Sequence, residues 1–188
     1  MSALSVITTN EQKFRTAQKV CAEFDIELTQ VSTHDIDEIQ GEDAEKIIAR
    51  KAADAFALVQ KPLVVTDDSW IIPALGGFPG AYMKSVNQWF KLEDWRRLLD
   101  GVENRTVILR QMVAYQDELE QVIFSVDVEG ILLDEPRGTL EKSPLMAMTS
   151  FNDGETSVAE NVLNGSTSIG HLKTAWHELA AWLQAKQS

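Results

Sequence analysis

Hydrophobic positions along the chain switch between two periods, and the switches mark out its elements. Leu4 to Thr8 is a short apolar and β-branched run that predicts a buried strand. It stops at Thr8-Thr9-Asn10, after which Phe14, Ala17, Val20, Cys21 and Phe24 recur on one face of a helix. A second strand is predicted over Ile26 to Val31, leading into an acidic loop from Asp35 to Gly41. Residues 42–59 return to the helical period through Ala44, Ile47, Ile48, Ala52, Ala55 and Val59, and Lys61-Pro62 breaks it. Leu63 to Thr66 predicts a short buried strand that ends at Asp67-Asp68-Ser69.

Beyond this point the punctuation grows denser. Pro73 to Gly80 is a glycine- and proline-marked loop, and a short helix is predicted around Leu92 to Leu99. Two long strands follow, roughly 105–115 and 121–133, joined by a turn at Gln116-Asp117-Glu118. The second alternates through Val122, Phe124, Val126 and Val128, so one of its faces is covered. Residues 134–165 read as irregular. A last helix over 168–185 is expected to bury Ile169, Leu172, Trp176, Leu179, Ala180 and Leu183. Early βα units followed by a long antiparallel pair make this an α/β protein with a mixed central sheet and flanking helices. Its 188 residues suit a single domain over 1–188.

Charge and cysteine narrow the function classes. The 29 acids outnumber 17 scattered basic residues for a net charge of −12, so no basic stripe exists for long nucleic acid. No apolar run approaches the roughly 20 residues of a membrane span, so no membrane partner is expected. The opening Met1 to Ser5 lacks the basic flank of a signal peptide, and the lone Cys21 excludes an internal disulfide. A cytoplasmic location is the expectation.

Two features carry candidate chemistry. A strand that stops and starts a helix leaves free N–H groups suited to a phosphate, and Thr8, Asn10 and Lys13 add polar groups and a cation there. The plainer account is a helix capped by Asn10 with a solvated lysine. Asp67-Asp68, with Glu38 on another loop, would offer hard oxygen ligands for Mg²⁺, which uses one or two carboxylates plus substrate phosphates. The plainer account here is a strand terminator capping a turn.

The order of these pieces resembles the inosine-triphosphate pyrophosphatase family. The family's T-G-N-x-x-K is similar to Thr8-Thr9-Asn10-Glu11-Gln12-Lys13, its E-x-Q-G to Glu38-Ile39-Gln40-Gly41, and its [ED]-D-[ST]-G to Asp67-Asp68-Ser69-Trp70. Its A-L-G-G-x-P-G-x-Y-x-K is matched throughout from Ala74 to Lys84. Val128-Glu129-Gly130 and Glu135-Pro136-Arg137-Gly138 match its V-x-G and E-P-R-G. The resemblance covers residues 4–138.

What the resemblance implies is Mg²⁺-dependent hydrolysis of a nucleoside triphosphate, such as ITP, XTP or dITP, to monophosphate and pyrophosphate, with Mn²⁺ as an alternative ion. It implies two lobes with a cleft between them, a homodimer, and a role in nucleotide-pool sanitation. Carried over by position, Thr8, Asn10 and Lys13 would hold the triphosphate, with Lys84 near the nucleotide. Glu38 and Asp68 would hold the metal, and Asp68, supported by Asp67, would orient or deprotonate the attacking water.

The chain also departs from the family. Thr9 and Trp70 stand where the family has glycine. Trp70 is read as core filling rather than pocket wall. The base-pocket motif F-G-[YW]-D-P is reduced to Leu140-Glu141-Lys142-Ser143-Pro144, and S-H-R to Gly170-His171-Leu172, with Lys173 a substitute for the lost arginine. Altered base contacts are expected to relax or redirect specificity. These departures motivate an alternative, a non-catalytic nucleotide-binding or regulatory module on the same fold. A weaker one is an interaction protein docking through Trp89, Trp95 and Trp182.

Overall fold

A computed structural model of the chain describes residues 3–33, 41–167, 169 and 172–187. The first strand, β1 (Leu4–Ile7), is followed by α1 (Glu11–Ala22), β2 (Leu28–Val31) and α2 (Ala44–Val59). Next come β3 (Leu63–Ile71), a 3₁₀ turn (Pro73–Leu75), β4 (Pro79–Gly80), α3 (Met83–Trp89) and α4 (Leu92–Leu98). The long strands β5 (Thr106–Gln116) and β6 (Gln121–Leu132) follow. A 3₁₀ turn (Pro144–Met148), β7 (Thr149–Ser150), α5 (Val158–Leu163) and α6 (Ala175–Gln187) complete the order. The strands form a sheet in the order β2-β1-β3-β5-β6-β7, with β4 added to β3. β1 pairs in parallel with both β2 and β3, while β4 and β7 pair antiparallel, so the sheet is mixed as expected.

The chain divides into two units. One comprises Met1–Asp68, Gln111–Val126 and Leu172–Ser188; the other comprises Ser69–Arg110 and Asp127–His171. Strand alternation builds two hydrophobic layers in the first. Val6, Val64, Val113 and Tyr115 join Ala17, Val20 and Cys21 of α1 and Trp176 and Leu179 of α6. The intervening residues Ile7, Leu63, Val65, Met112 and Ala114 join Ile48, Ala52 and Ala55 of α2. Each fully buried aliphatic side chain contributes about 1.5–3 kcal/mol. Neighbouring residues of one strand therefore serve opposite layers. Trp182, packed on Tyr115 and Phe124, belongs here too and is no exposed docking residue.

In the second unit Phe78, Phe90 and Trp95 form an aromatic cluster with centroids 5.2–5.9 Å apart. Trp95 is fully buried, so of the tryptophans proposed to dock a partner only Trp89, 69% exposed, lies on the surface. Trp70 is 5% exposed and faces Phe151 at 6.0 Å, a core residue as read from the sequence. Arg105 donates to the carbonyls of Leu99, Leu132 and Leu133, and Arg137 to those of Gly154 and Glu155.

Several expectations need correction. β3 does not end at Asp67-Asp68-Ser69 but runs to Ile71, because Trp70 and Ile71 pair with Gly80 and Pro79 of β4. Residues 134–165 are not wholly irregular: they hold a 3₁₀ turn, β7 and α5, the last started by a Ser157/Glu160 capping box. The final helix begins at Ala175 rather than 168. Thr174 is hydrogen-bonded to the His177 ring at 3.0–3.1 Å and fixes that start, leaving Ile169 and Leu172 ahead of it. α3 was not anticipated.

Two outcomes follow from this packing. A Cβ at Gly130 would lie 2.4 Å from the Ser150 carbonyl oxygen and 2.6 Å from the Phe151 ring. Gly130→Ala should therefore cost about 2 kcal/mol in chemical denaturation. Asp127 is held below the ordinary carboxylate value by its two-pronged bond to Arg110 (2.7 and 2.8 Å). For Asp117, burial opposes ionisation, but the Leu119 and Glu120 amides, the Tyr115 hydroxyl and Lys186 outweigh it and also lower the pKa. Their stabilisation is present above the unfolded value and lost as pH falls through the depressed folded values. The melting temperature should drop below about pH 4, and less steeply in Asp127→Asn.

Candidate functional site

The register of the parallel strands decides what meets at the end of β1. Ile7, its last residue, lies opposite Val65, while β3 continues. Thr66, Asp67 and Asp68 therefore extend past β1, level with the loop that opens α1. That loop is closed on itself. The Asn10 amide donates to Thr8 Oγ1 (3.1 Å), and Asn10 Oδ1 accepts from the amides of Gln12 (3.0 Å) and Lys13 (3.1 Å). Asn10 is thus a helix N-cap, and what it retains for a ligand is its side-chain NH₂.

One turn into α1, Lys13 reaches back. Its Nζ lies 3.1 Å from Asp68 Oδ2, with the side chains 28% and 18% exposed. The contact follows from alternation, since Val64, Thr66 and Asp68 point to the α1 side of β3 and Val65 and Asp67 to the α2 side. Asp68 Oδ1 is buried and finds no hydrogen-bond partner among the described residues. A carboxylate with one oxygen on a lysine and the other buried and unpaired is a donor set suited to a hard cation. Among the described residues no group of three or more His, Cys, Asp or Glu is arranged to hold a metal.

The sequence reading did not single out Lys51. It comes from α2, and its Nζ donates to the Thr66 carbonyl at 3.1 Å, bringing a second cation to the strand that carries Asp67 and Asp68. Its signal was positional: Lys51 falls between Ile48 and Ala52, both fully buried, on the stripe that faces the sheet.

Of the residues expected in the site, the structure brings together Thr8, Asn10, Lys13 and Asp68, with Asp67 adjacent on the other face of β3. Lys84 is exposed on α3, in the second unit. Lys173 is ion-paired with Glu178 at 2.6 Å beside the start of α6. Glu38 and His171 lie outside the described residues.

The Ham1 family model matches residues 4–182, nearly the whole chain. The chain belongs to the Ham1 family. Among the relatives, a dITP/XTP pyrophosphatase of Pyrobaculum aerophilum is 30% identical over 183 residues, covering 96% of this chain and 95% of that one. Another of that name, from Saccharolobus solfataricus, is 31% identical over 137 residues, covering 73% of this chain and 71% of that one. A HAM1 protein from Coxiella burnetii has the same fold, with a TM-score of 0.73 at 19% identity over 97% of this chain and 99% of that one. The resemblance and the mixed α/β fold read from the sequence are borne out.

The ion pair can be measured. In a double-mutant cycle of Lys13→Met and Asp68→Asn, the two stability losses should fail to add by about 1 kcal/mol. Additive losses would show that the side chains do not interact.

Proposed function

We propose that this chain is a Mg²⁺-dependent nucleoside-triphosphate pyrophosphatase that splits its substrate to a nucleoside monophosphate and pyrophosphate. Its reaction class, hydrolysis of a nucleoside triphosphate, rests on family membership and on the relatives named dITP/XTP pyrophosphatase. The ion, the residue roles and the service to nucleotide pools are the proposal. The observation that supports it is the Lys13–Asp68 contact, which sets a cation beside a carboxylate whose other oxygen is buried and unpartnered among the described residues.

In this reading Lys13, Thr8 and the Asn10 NH₂ grip the triphosphate, with Lys51 adding charge from α2 and Lys84 serving the nucleotide. Glu38 and Asp68 hold Mg²⁺, or Mn²⁺ in its place. Bound there, the ion supplies charge neutralisation and Lewis acidity. Asp68, next to Asp67, orients the attacking water or takes its proton. Phosphoryl transfer asks mainly for positioning and electrostatic balance, which these residues provide.

The base end is different. At the place of the family's aromatic-aspartate motif, Ser143 closes a turn on the Leu140 carbonyl (2.9 Å), and Pro144 and Leu145 are buried. These residues serve packing and offer no aromatic face to a base. With His171 and Lys173 as the remaining base contacts, discrimination among purines is relaxed. A site without hydrogen bonds specific to one base pays little for the wrong one. A homodimer in the cytoplasm completes the reading; no helix of the described residues is long and apolar enough to cross a membrane.

Pyrophosphate release should be followed on a panel of ITP, XTP, dITP, ordinary purine triphosphates, dUTP and oxidised purines, with Mg²⁺ and with Mn²⁺. Turnover of several purines at similar kcat/KM is expected. Asp68→Asn should lower kcat by about a thousandfold, or about 4 kcal/mol, while lowering the melting temperature by only about 2–4 °C. Binding without turnover of any panel member, unaffected by Asp68→Asn, would favour the non-catalytic module instead.

A further inference from the structure

We infer that Gln30 is a positioning residue that aims the Thr9 backbone amide at the substrate's phosphates. The inference rests on the pyrophosphatase reading of the site and adds a part that neither the sequence motifs nor the relatives assign. The β1–β2 ladder closes with Ile7 opposite Val31, and the Thr8 amide still donates to the Val31 carbonyl at 3.2 Å. β2 ends there, and among the described residues no backbone amide donates to the Thr8 carbonyl. The Gln30 side chain fills the gap: its Nε2 donates to Thr8 O at 3.0 Å, both groups half-buried.

This bond sets a peptide plane. Thr8 turns both its N–H and its C=O toward β2. In a planar trans peptide the next N–H is antiparallel to that C=O. The Thr9 amide is therefore directed away from β2. Because β1 lies between β2 and β3, that is the side of Asp68 and its partner Lys13. The Thr9 amide makes no hydrogen bond among the described residues. Nearby, the Asn10 cap has already taken the Gln12 and Lys13 amides, so α1 keeps few donors for an anion. A pre-aimed Thr9 amide supplies one without rearrangement at the moment of binding. It also accounts for a side chain at a position where the family has glycine: the working group is the amide, and the Thr9 side chain is exposed.

The full-length ¹⁵N-labelled protein is titrated with inorganic pyrophosphate in the presence of Mg²⁺. The Thr9 amide resonance should move with saturation, and the movement should shrink in Gln30→Met and Gln30→Glu, which remove the donor at nearly constant size. With ITP as substrate, both variants should raise KM about tenfold and leave kcat within about twofold. A Thr9 resonance that stays still while wild-type protein turns over ITP overturns the inference and leaves the pyrophosphatase reading standing. So does a variant that only melts earlier, with KM unchanged, because that is the mark of a purely structural hydrogen bond. Wild-type protein that neither binds pyrophosphate nor hydrolyses any triphosphate overturns the pyrophosphatase reading, and this inference with it.

Discussion

At the end of β1 two strands of unequal length and one helix start are brought to the same level, and an ammonium and a carboxylate meet there at 3.1 Å. The contact needs three things together. β1 must stop early, β3 must run on, and α1 must begin within three residues so that its first turn points a lysine back over the strand ends. The hydrophobic layers enforce all three. Val6 and Val64 fix the strands against α1, and Ala17, Val20 and Cys21 fix the helix against the strands. A cation and an anion half-withdrawn from water are held by packing that would form without them. The pair is thus placed by the core, and the desolvation of its two charges is a cost that the surrounding packing offsets.

Much of this was legible in the chain itself. The period switch at Thr8-Thr9-Asn10 located the helix start, and the Asn10 cap was readable as the plain account of that residue. In the structure cap and candidate ligand turn out compatible, because Asn10 uses its carbonyl oxygen for one role and keeps its NH₂ for the other. The extent of β3 was not legible. Asp-Asp-Ser is poor strand material, and it is pairing with β5 on one side and, beyond it, with the distant Pro79-Gly80 that carries the strand on. α3 escaped notice because seven residues with only Met83 and Val86 buried show no period. Lys51 was hidden among Lys46 and Arg50, which make the helix look like a solvated charged face. Burial of Ile48 and Ala52 reveals which side of α2 it occupies.

Motifs that signal the family are not all parts of a site. Gly130 belongs to the V-x-G match, and its reason is steric, since β7 passes too close for any side chain. Arg137 and Gly138 belong to E-P-R-G. Arg137 holds the Gly154 and Glu155 carbonyls, its own carbonyl takes the Ser157 hydroxyl, and Gly138 sits at φ +69° against Ala159. These residues build the second unit around α5. A match there says that the fold is kept and says nothing of which base is read. The altered segment from Leu140 to Pro144 still closes its turn and packs Pro144 and Leu145 inside, so the change of motif leaves the architecture around it in place.

The single thiol has its own consequence. Cys21 lies wholly inside the layer beneath α1, and burial pushes its pKa up to about 12. At neutral pH the thiol stays protonated, and oxidants and alkylating reagents attack the thiolate. Peroxide would meet no accessible thiolate at Cys21 while the helix stays seated. Damage at this position reports how often α1 lifts away, so resistance to oxidative injury here is a matter of folding equilibrium and not of surface chemistry.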